Sequence, residues 1–193
     1  LSRGLGDVYK RQILSMVMKV KKNIYIITLI LVILDQVVKR IIINSFSLLE
    51  VKEIIPDFFY FTYVENTGAA WSILEDSTFF LTVISAICLI ILNRYLMKKN
   101  TFSRLEEWYY GLIMGGILGN FIDRVVRDGV VDYIGFEFGN YQFPIFNIAD
   151  MAIVIGVGLV LLEMIKGDND DRDRSKKERD KTRSVSKRRV RNQ

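Results

Sequence analysis

Two aspartates stand 18 positions apart, Asp132 in Val131-Asp132-Tyr133-Ile134 and Asp150 in Phe146-Asn147-Ile148-Ala149-Asp150, each at the edge of an apolar stretch. Histidine is absent, and the one cysteine, Cys88, sits inside the apolar run 79–92. Serine–histidine and cysteine–histidine nucleophile systems are therefore excluded. A zinc site lacks its usual nitrogen and sulfur ligands, and no disulfide can form within the chain. Cys88 itself reads as a small packing or lipid-facing residue. What remains for hydrolysis is a carboxylate pair. Two acids converging in a partly dry pocket cannot both ionise easily, so they share a proton. One then acts as base on a bound water, and the other, protonated, donates to the carbonyl under attack. That chemistry needs no metal and no cofactor.

Such a pair works only if other elements bring it to one place, and hydropathy indicates which. Half of the 193 residues are hydrophobic, and they fall in blocks, the pattern of a bilayer protein. After Lys19, Lys21 and Lys22 comes an apolar run, 24–43, long enough at about 1.5 Å per residue to cross a hydrocarbon core of about 30 Å. It carries Asp35 and Lys39 and has no small-residue cleavage site, which weighs against a cleaved signal peptide. Residues 79–96, 108–126 and 148–165 are three further apolar runs of spanning length. Between the first two, Val51-Lys52-Glu53-Ile54-Ile55 through Val64 is rich in aromatic and β-branched residues, which favours short strands. The expected fold is a membrane all-α core of four transmembrane helices, with a small extracytoplasmic β-sheet between helices 1 and 2 in about residues 44–76. Residues 1–18 read as an extension of doubtful origin, with Met16 or Met18 as the natural start, and 19–166 as the four-helix domain.

The formal charge of +5 lies in the tail: residues 168–193 hold eleven Lys/Arg against six Asp/Glu, leaving sixteen of each in the rest. With almost no apolar residues, 167–193 is expected to be a disordered, basic cytoplasmic tail that brushes anionic lipid, and no nucleic-acid partner is expected. Lys98, Lys99 and Arg104 between helices 2 and 3 fall on the same side as the tail and the lysines before helix 1. By the positive-inside rule both termini are cytoplasmic, and loops 44–76 and 127–147 lie outside. Asp35 and Lys39 then sit late in one outward-running helix, and Asn120, Asp123 and Arg124 late in another. Asp150 opens an inward-running one, so all lie near the outer face. Polar groups at membrane depth are costly and mark a functional site by default.

Each motif also has a plainer reading. Asp35 and Lys39, at i and i+4, form a local ion pair or position substrate. Asn66-Thr67-Gly68-Ala69-Ala70-Trp71 is either a tight re-entry turn with an aromatic anchor or a site where backbone approaches a ligand closely. Gly111, Gly115 and Gly119 form a ridge for close helix packing. Asp123, beside Arg124 in sequence and with Asn120 within reach, suits a scaffold better than an acid that exchanges protons. Asp150 is a first-turn acid that Asn147 can cap. Only its convergence with Asp132 argues for more.

The stretches DQVVK at 35–39, NTGAAW at 66–71, GGILGNFIDR at 115–124, VVDYI at 130–134 and FNIAD at 146–150 resemble, in order and spacing over about 19–166, the lipoprotein signal peptidases (signal peptidase II of bacteria). That resemblance implies an intramembrane aspartic endopeptidase of the bacterial cytoplasmic membrane. It would remove the signal peptide from diacylglyceryl-modified prolipoproteins just before the lipid-modified cysteine. Asp132 and Asp150 match its catalytic aspartates. Asp35, Lys39, Asn66, Gly68, Gly119, Asn120, Asp123, Arg124, Asn147 and Ala149 fall in the motifs that line or support the site. No cofactor is implied; the partners are the prolipoprotein substrate and membrane lipids, and a monomer is expected. Two rivals are a small transporter whose acids bind cations and a membrane scaffold assembled through the glycine ridge. A transport path would place polar residues on the cytoplasmic half as well, and a scaffold would tolerate loss of either acid.

Overall fold

The computed structural model describes residues 2–68 and 77–167, with side chains from residue 21 onward. In chain order these form α1 (Ser2–Ser45), β1 (Val51–Ile55), β2 (Phe59–Asn66), α2 (Thr78–Lys98), α3 (Arg104–Arg127), β3 (Val130–Phe138), β4 (Tyr141–Gln142) and α4 (Ile148–Gly167). Residues Leu1–Val157 make one unit, which contains everything described below; the described part of the second, Gly158–Gln193, is the end of α4. Ala69, Ala70 and Trp71 of the NTGAAW motif, and the basic tail from 168, lie outside the described residues.

The helices are inside-out relative to a water-soluble bundle. Ile87 and Ile91 of α2 and Val154 of α4 are exposed, whereas Asp35, Lys39 and Asp123 are 0% exposed. Two helices, α2 and α4, are long and apolar enough to cross a membrane by composition alone. α1 and α3 carry more charge, and Asp35, Lys39 and Asp123 among it are held in the interior.

The glycine ridge explains how α3 approaches α1. A Cβ at Gly111, Gly115 or Gly119 would come within 2.7 Å of Ile27, Leu31 and Asp35 respectively, so one four-residue ladder fits against another. The hydroxyl of Thr28 donates across this seam to the Gly111 carbonyl at 3.3 Å. Gly116, on the neighbouring flank of α3, faces the Ala149 carbonyl and Ile153 of α4. α3 is thus wedged between the two helices that carry the other polar groups. It starts with a capping box, in which Glu106 N–H donates to Ser103 Oγ at 3.1 Å and Ser103 N–H to Glu106 Oε2 at 2.8 Å. It ends on Asp128 in the left-handed region at φ 58°, from which the chain turns at Gly129 into β3.

The sheet is antiparallel in the order β1-β2-β3-β4. It is not confined to the segment between helices 1 and 2, because residues 127–147, expected to be a loop, supply half of its strands. The cause is visible in Val130-Val131-Asp132-Tyr133-Ile134-Gly135-Phe136-Glu137-Phe138, β-branched and aromatic throughout, which satisfies the open edge of β2. Gly139, at φ 62°, makes the tight turn into β4. Beyond β4 the chain returns to β3 at one bridge, Ile134 with Phe146, closed by N–H to carbonyl bonds of 2.9 and 3.1 Å. That bridge joins β3 to the start of α4, and so joins the segment of Asp132 to that of Asp150.

Candidate active site

The site is built on two polar layers. The lower is an ion cluster around Lys39 Nζ, which lies 2.9 Å from Asp35 Oδ2, 2.8 Å from Asp123 Oδ2 and 2.9 Å from Asn120 Oδ1. The second oxygen of Asp35 accepts the Ala149 N–H at 3.2 Å, tying α1 to the first turn of α4. Asp123 also accepts from Arg127 and from the Val131 N–H at 3.2 Å, which ties α3 to β3. The i, i+4 pair of Asp35 and Lys39 is present, and a second acid completes it. The sequence reading had Arg124 as the cation beside Asp123; the geometry instead gives Lys39, from α1, and Arg127, one turn further along α3, because Arg124 projects from a different angle of α3 into the cavity above. Gln36 was missed: its Nε2 donates to the Gly119 carbonyl at 3.2 Å and to Asp123 Oδ1 at 2.9 Å. It lies within DQVVK but adjoins a charged residue that draws attention first. Arg127, at i+4 from Asp123, could have been found by spacing.

The upper layer is centred on Asn147, 0% exposed. It is the N-cap of α4 and makes a capping box with Asp150: the Asp150 N–H donates to Asn147 Oδ1 at 2.9 Å, and the Asn147 N–H to Asp150 Oδ2 at 3.2 Å. Its Nδ2 donates at 2.7 Å to Asp132 Oδ1. One residue therefore holds both carboxylates, that of Asp132 through its side-chain amide and that of Asp150 through its backbone N–H. Each acid has a further amide donor, Asn66 Nδ2 to Asp132 Oδ2 at 2.8 Å and Asn120 Nδ2 to Asp150 Oδ1 at 2.7 Å. The Gly68 N–H closes on Asn66 Oδ1 at 2.9 Å, which fixes the orientation of that amide. Ala149 is 0% exposed with its Cβ over Gly119, where a larger residue would push α4 away from α3. All twelve residues singled out from the sequence thus belong to one connected assembly.

The two acids open onto a cavity of about 550 Å³. Asn66, Gly68, Asn120 and Arg124 join them at its polar end, and Phe143, Phe146, Met151 and Val154 are among its apolar walls. Burial, reinforced by the charge of Asp150, pushes Asp132 up from its ordinary 3.8 to about 7, against the pull of the Asn66 and Asn147 amides. The buried Nε of Arg124 makes no hydrogen bond, so this cation at the cavity wall has donor capacity to spare.

Residues 27–166 match the peptidase family A8, described as Signal peptidase (SPase) II. The chain belongs to the signal peptidase II family. Proteins named lipoprotein signal peptidase are similar to it over about three quarters of its length: one from Bacillus pumilus is 41% identical over 73% of this chain and 91% of its own. One from Listeria monocytogenes is 41% identical over 75% and 94%, and one from Staphylococcus haemolyticus 36% identical over 77% and 98%. The fold resembles that of a bacterial membrane enzyme solved by the in meso method at 2.3 Å resolution, with a TM-score of 0.68 and 39% identity over 74% of this chain and 87% of that one. A second such structure, at 1.9 Å resolution, has a TM-score of 0.66 and 39% identity over 74% and 92%. The protein is accordingly an aspartic peptidase of the signal peptidase II class.

In this signal peptidase II, Asn147→Ala separates two contributions of one residue. Loss of the cap costs about 1 kcal/mol of stability, read as a lowered Tm. Loss of the tether between the acids is expected to lower kcat/KM on the order of 100-fold, the scale of a misplacement of about 1 Å. Asn147→Ser keeps a capping oxygen without the Nδ2 donor and should recover the cap's share of the lost Tm but not activity.

Proposed function

We propose that the enzyme removes the signal peptide from diacylglyceryl-modified prolipoproteins, cleaving just before the lipid-modified cysteine, with a water activated between Asp132 and Asp150. The observation that carries this reading is the convergence of both carboxylates on Asn147 at the polar end of a largely apolar cavity. Burial and the charge of Asp150 raise Asp132, which suits it to carry the proton that the pair shares, with Asp150 as the base. Asp132 donates to the scissile carbonyl while Asp150 takes a proton from the attacking water. Protonation of the leaving nitrogen then completes the cleavage. Arg124 and Asn66 hold the substrate backbone, whereas Asp35, Lys39, Asn120 and Asp123 fix the depth at which the acids stand.

All four helices span the bilayer. For α1 and α3 this is supported by the internal pairing of their charges, which removes the cost of placing them in hydrocarbon. Residues 19–166 form the catalytic domain. Both termini are cytoplasmic, and the site opens near the outer face, with the sheet resting on that membrane surface. The enzyme acts as a monomer among its lipids.

The test is purified protein incubated with a diacylglyceryl-modified prolipoprotein and with the same chain lacking the lipid. Cleavage of the first alone is expected. Equal cleavage of both would remove the lipoprotein part of the proposal.

A further inference from the structure

β3 carries Asp132, Ile134, Phe136 and Phe138 at alternate positions, so their side chains leave one face of the strand. Along that face the acid gives way to rings. Phe136 stacks on Phe146 at a centroid distance of 6.1 Å and on Phe138 at 6.3 Å, both with planes 16° apart. Phe58 meets Phe136 and Phe138 edge-on at 5.5 and 5.6 Å. At the other end, Phe146 meets Phe143 edge-on at 5.8 Å, and these two rings line the cavity that holds the aspartates. A continuous aromatic rail therefore runs from the cavity wall to the tip of the sheet, where Phe58 and Phe138 are 41% and 54% exposed.

We propose that this rail seats the acyl chains of the substrate's diacylglyceryl group, which rests on the reading that the substrate is a lipid-modified prolipoprotein. The bond to be cut lies at the two aspartates, and the modified cysteine is the next residue, so its glycerol begins within one residue of them. Beneath the acids the way is closed by the buried Lys39, Asn120 and Asn147. Along β3 the face emerges step by step, from buried Asp132 through half-buried Ile134 and Phe136 to exposed Phe138, and Phe136 lies about 13 Å from Asp132 at roughly 3.3 Å per residue. No charged side chain interrupts that face, since Glu137 leaves the strand on the opposite one. Flat, stiff rings present apolar area to methylene chains with little entropy to lose.

The experiment compares prolipoprotein peptides carrying dipalmitoyl- or dihexanoyl-glyceryl groups at fixed mole fraction in mixed micelles. It uses wild-type enzyme, Phe138→Ala, and Phe136→Ala/Phe138→Ala. Wild type is expected to prefer the long chains on the order of tenfold in kcat/KM, equivalent to about 1.4 kcal/mol. The double variant should lose that preference through KM while keeping its kcat on the short-chain substrate. Phe138→Ala, at an exposed ring, keeps the fold and should lose part of it. An unchanged preference in both variants, or an equal loss on both substrates as from a sheet that merely anchors in the bilayer, overturns the proposal. So does a wild type indifferent to chain length. A wild type that cleaves neither peptide would instead overturn the peptidase reading beneath it.

Discussion

Asp132→Asn and Asp150→Asn are each expected to abolish prolipoprotein cleavage, by on the order of 10³-fold or more, with little loss of folded protein. The amide that replaces either carboxylate keeps its volume and one acceptor oxygen, so one of the two donors on each acid, from Asn66 and Asn147 or from Asn120 and the Asn147 N–H, still finds a partner, while the other meets the new NH2. What is lost, on the proposed mechanism, is the proton that the pair shares. Because the pair acts as a unit, the double variant should be no worse than either single one. Asp123→Asn is the control: it faces Lys39 and Arg127 rather than the cavity, and should lower folded yield more than turnover per folded molecule. A well-folded, fully inactive Asp123→Asn beside an active Asp132→Asn would overturn the assignment. The pH dependence has a definite sign. Asp132 must hold its proton to donate it, so kcat/KM should fall as pH rises through about 7, and below that the profile should bend down again as the pair takes a second proton. Its folded pKa lies above the ordinary carboxylate value, so the folded state binds this proton more tightly. The stability it contributes is complete below about pH 4 and is lost as pH rises toward about 7.

How far these residues could be read from the chain depended on the range of the interaction. Local patterns were legible: the runs that became α2 and α4, the four-residue glycine ladder on α3, the i, i+4 pair of Asp35 with Lys39, and Asn147 as a cap three residues ahead of Asp150. Each depends on helical geometry that repeats within a few residues. What depended on pairing between distant segments was not. β3 has the composition of a strand, but its partner β2 lies some 66 residues away, so the stretch around Asp132 read as loop. The cation opposite Asp123 was misassigned for the same reason. Sequence neighbours on a helix point about 100° apart, so Arg124 turns to the cavity while Lys39 arrives from α1. The bridge between Ile134 and Phe146, which sets the spacing of the two acids, has no local signature at all.

Lys39→Met is expected to cost about 3–5 kcal/mol of stability, the scale of an uncompensated buried charge, and to take activity with it. Lys39, Asp35 and Asp123 are each 0% exposed, and one ammonium stands between the two carboxylates. Without it, Asp123 retains Arg127, but Asp35 retains only the Gln36 amide and the Ala149 N–H. Asn120 loses the nearer of the two donors on its oxygen, keeping only the Asn147 amide at 3.2 Å, and the angle of the Nδ2 that holds Asp150 is less firmly fixed. Damage to the lower layer is thereby transmitted to the layer that holds Asp132 and Asp150 without any change in a residue that lines the cavity beside them. Lys39→Arg should fare little better, since the branched, planar guanidinium needs room that a fully buried position between three helices does not offer. The informative variant is Lys39→Met/Asp35→Asn, in which the surviving acid, Asp123, still has its own arginine. If the lysine acts by balancing charge, this pair should recover a large part of the Tm lost in Lys39→Met, as expected for directly coupled sites. Additive losses in the two single variants would instead assign Lys39 to packing.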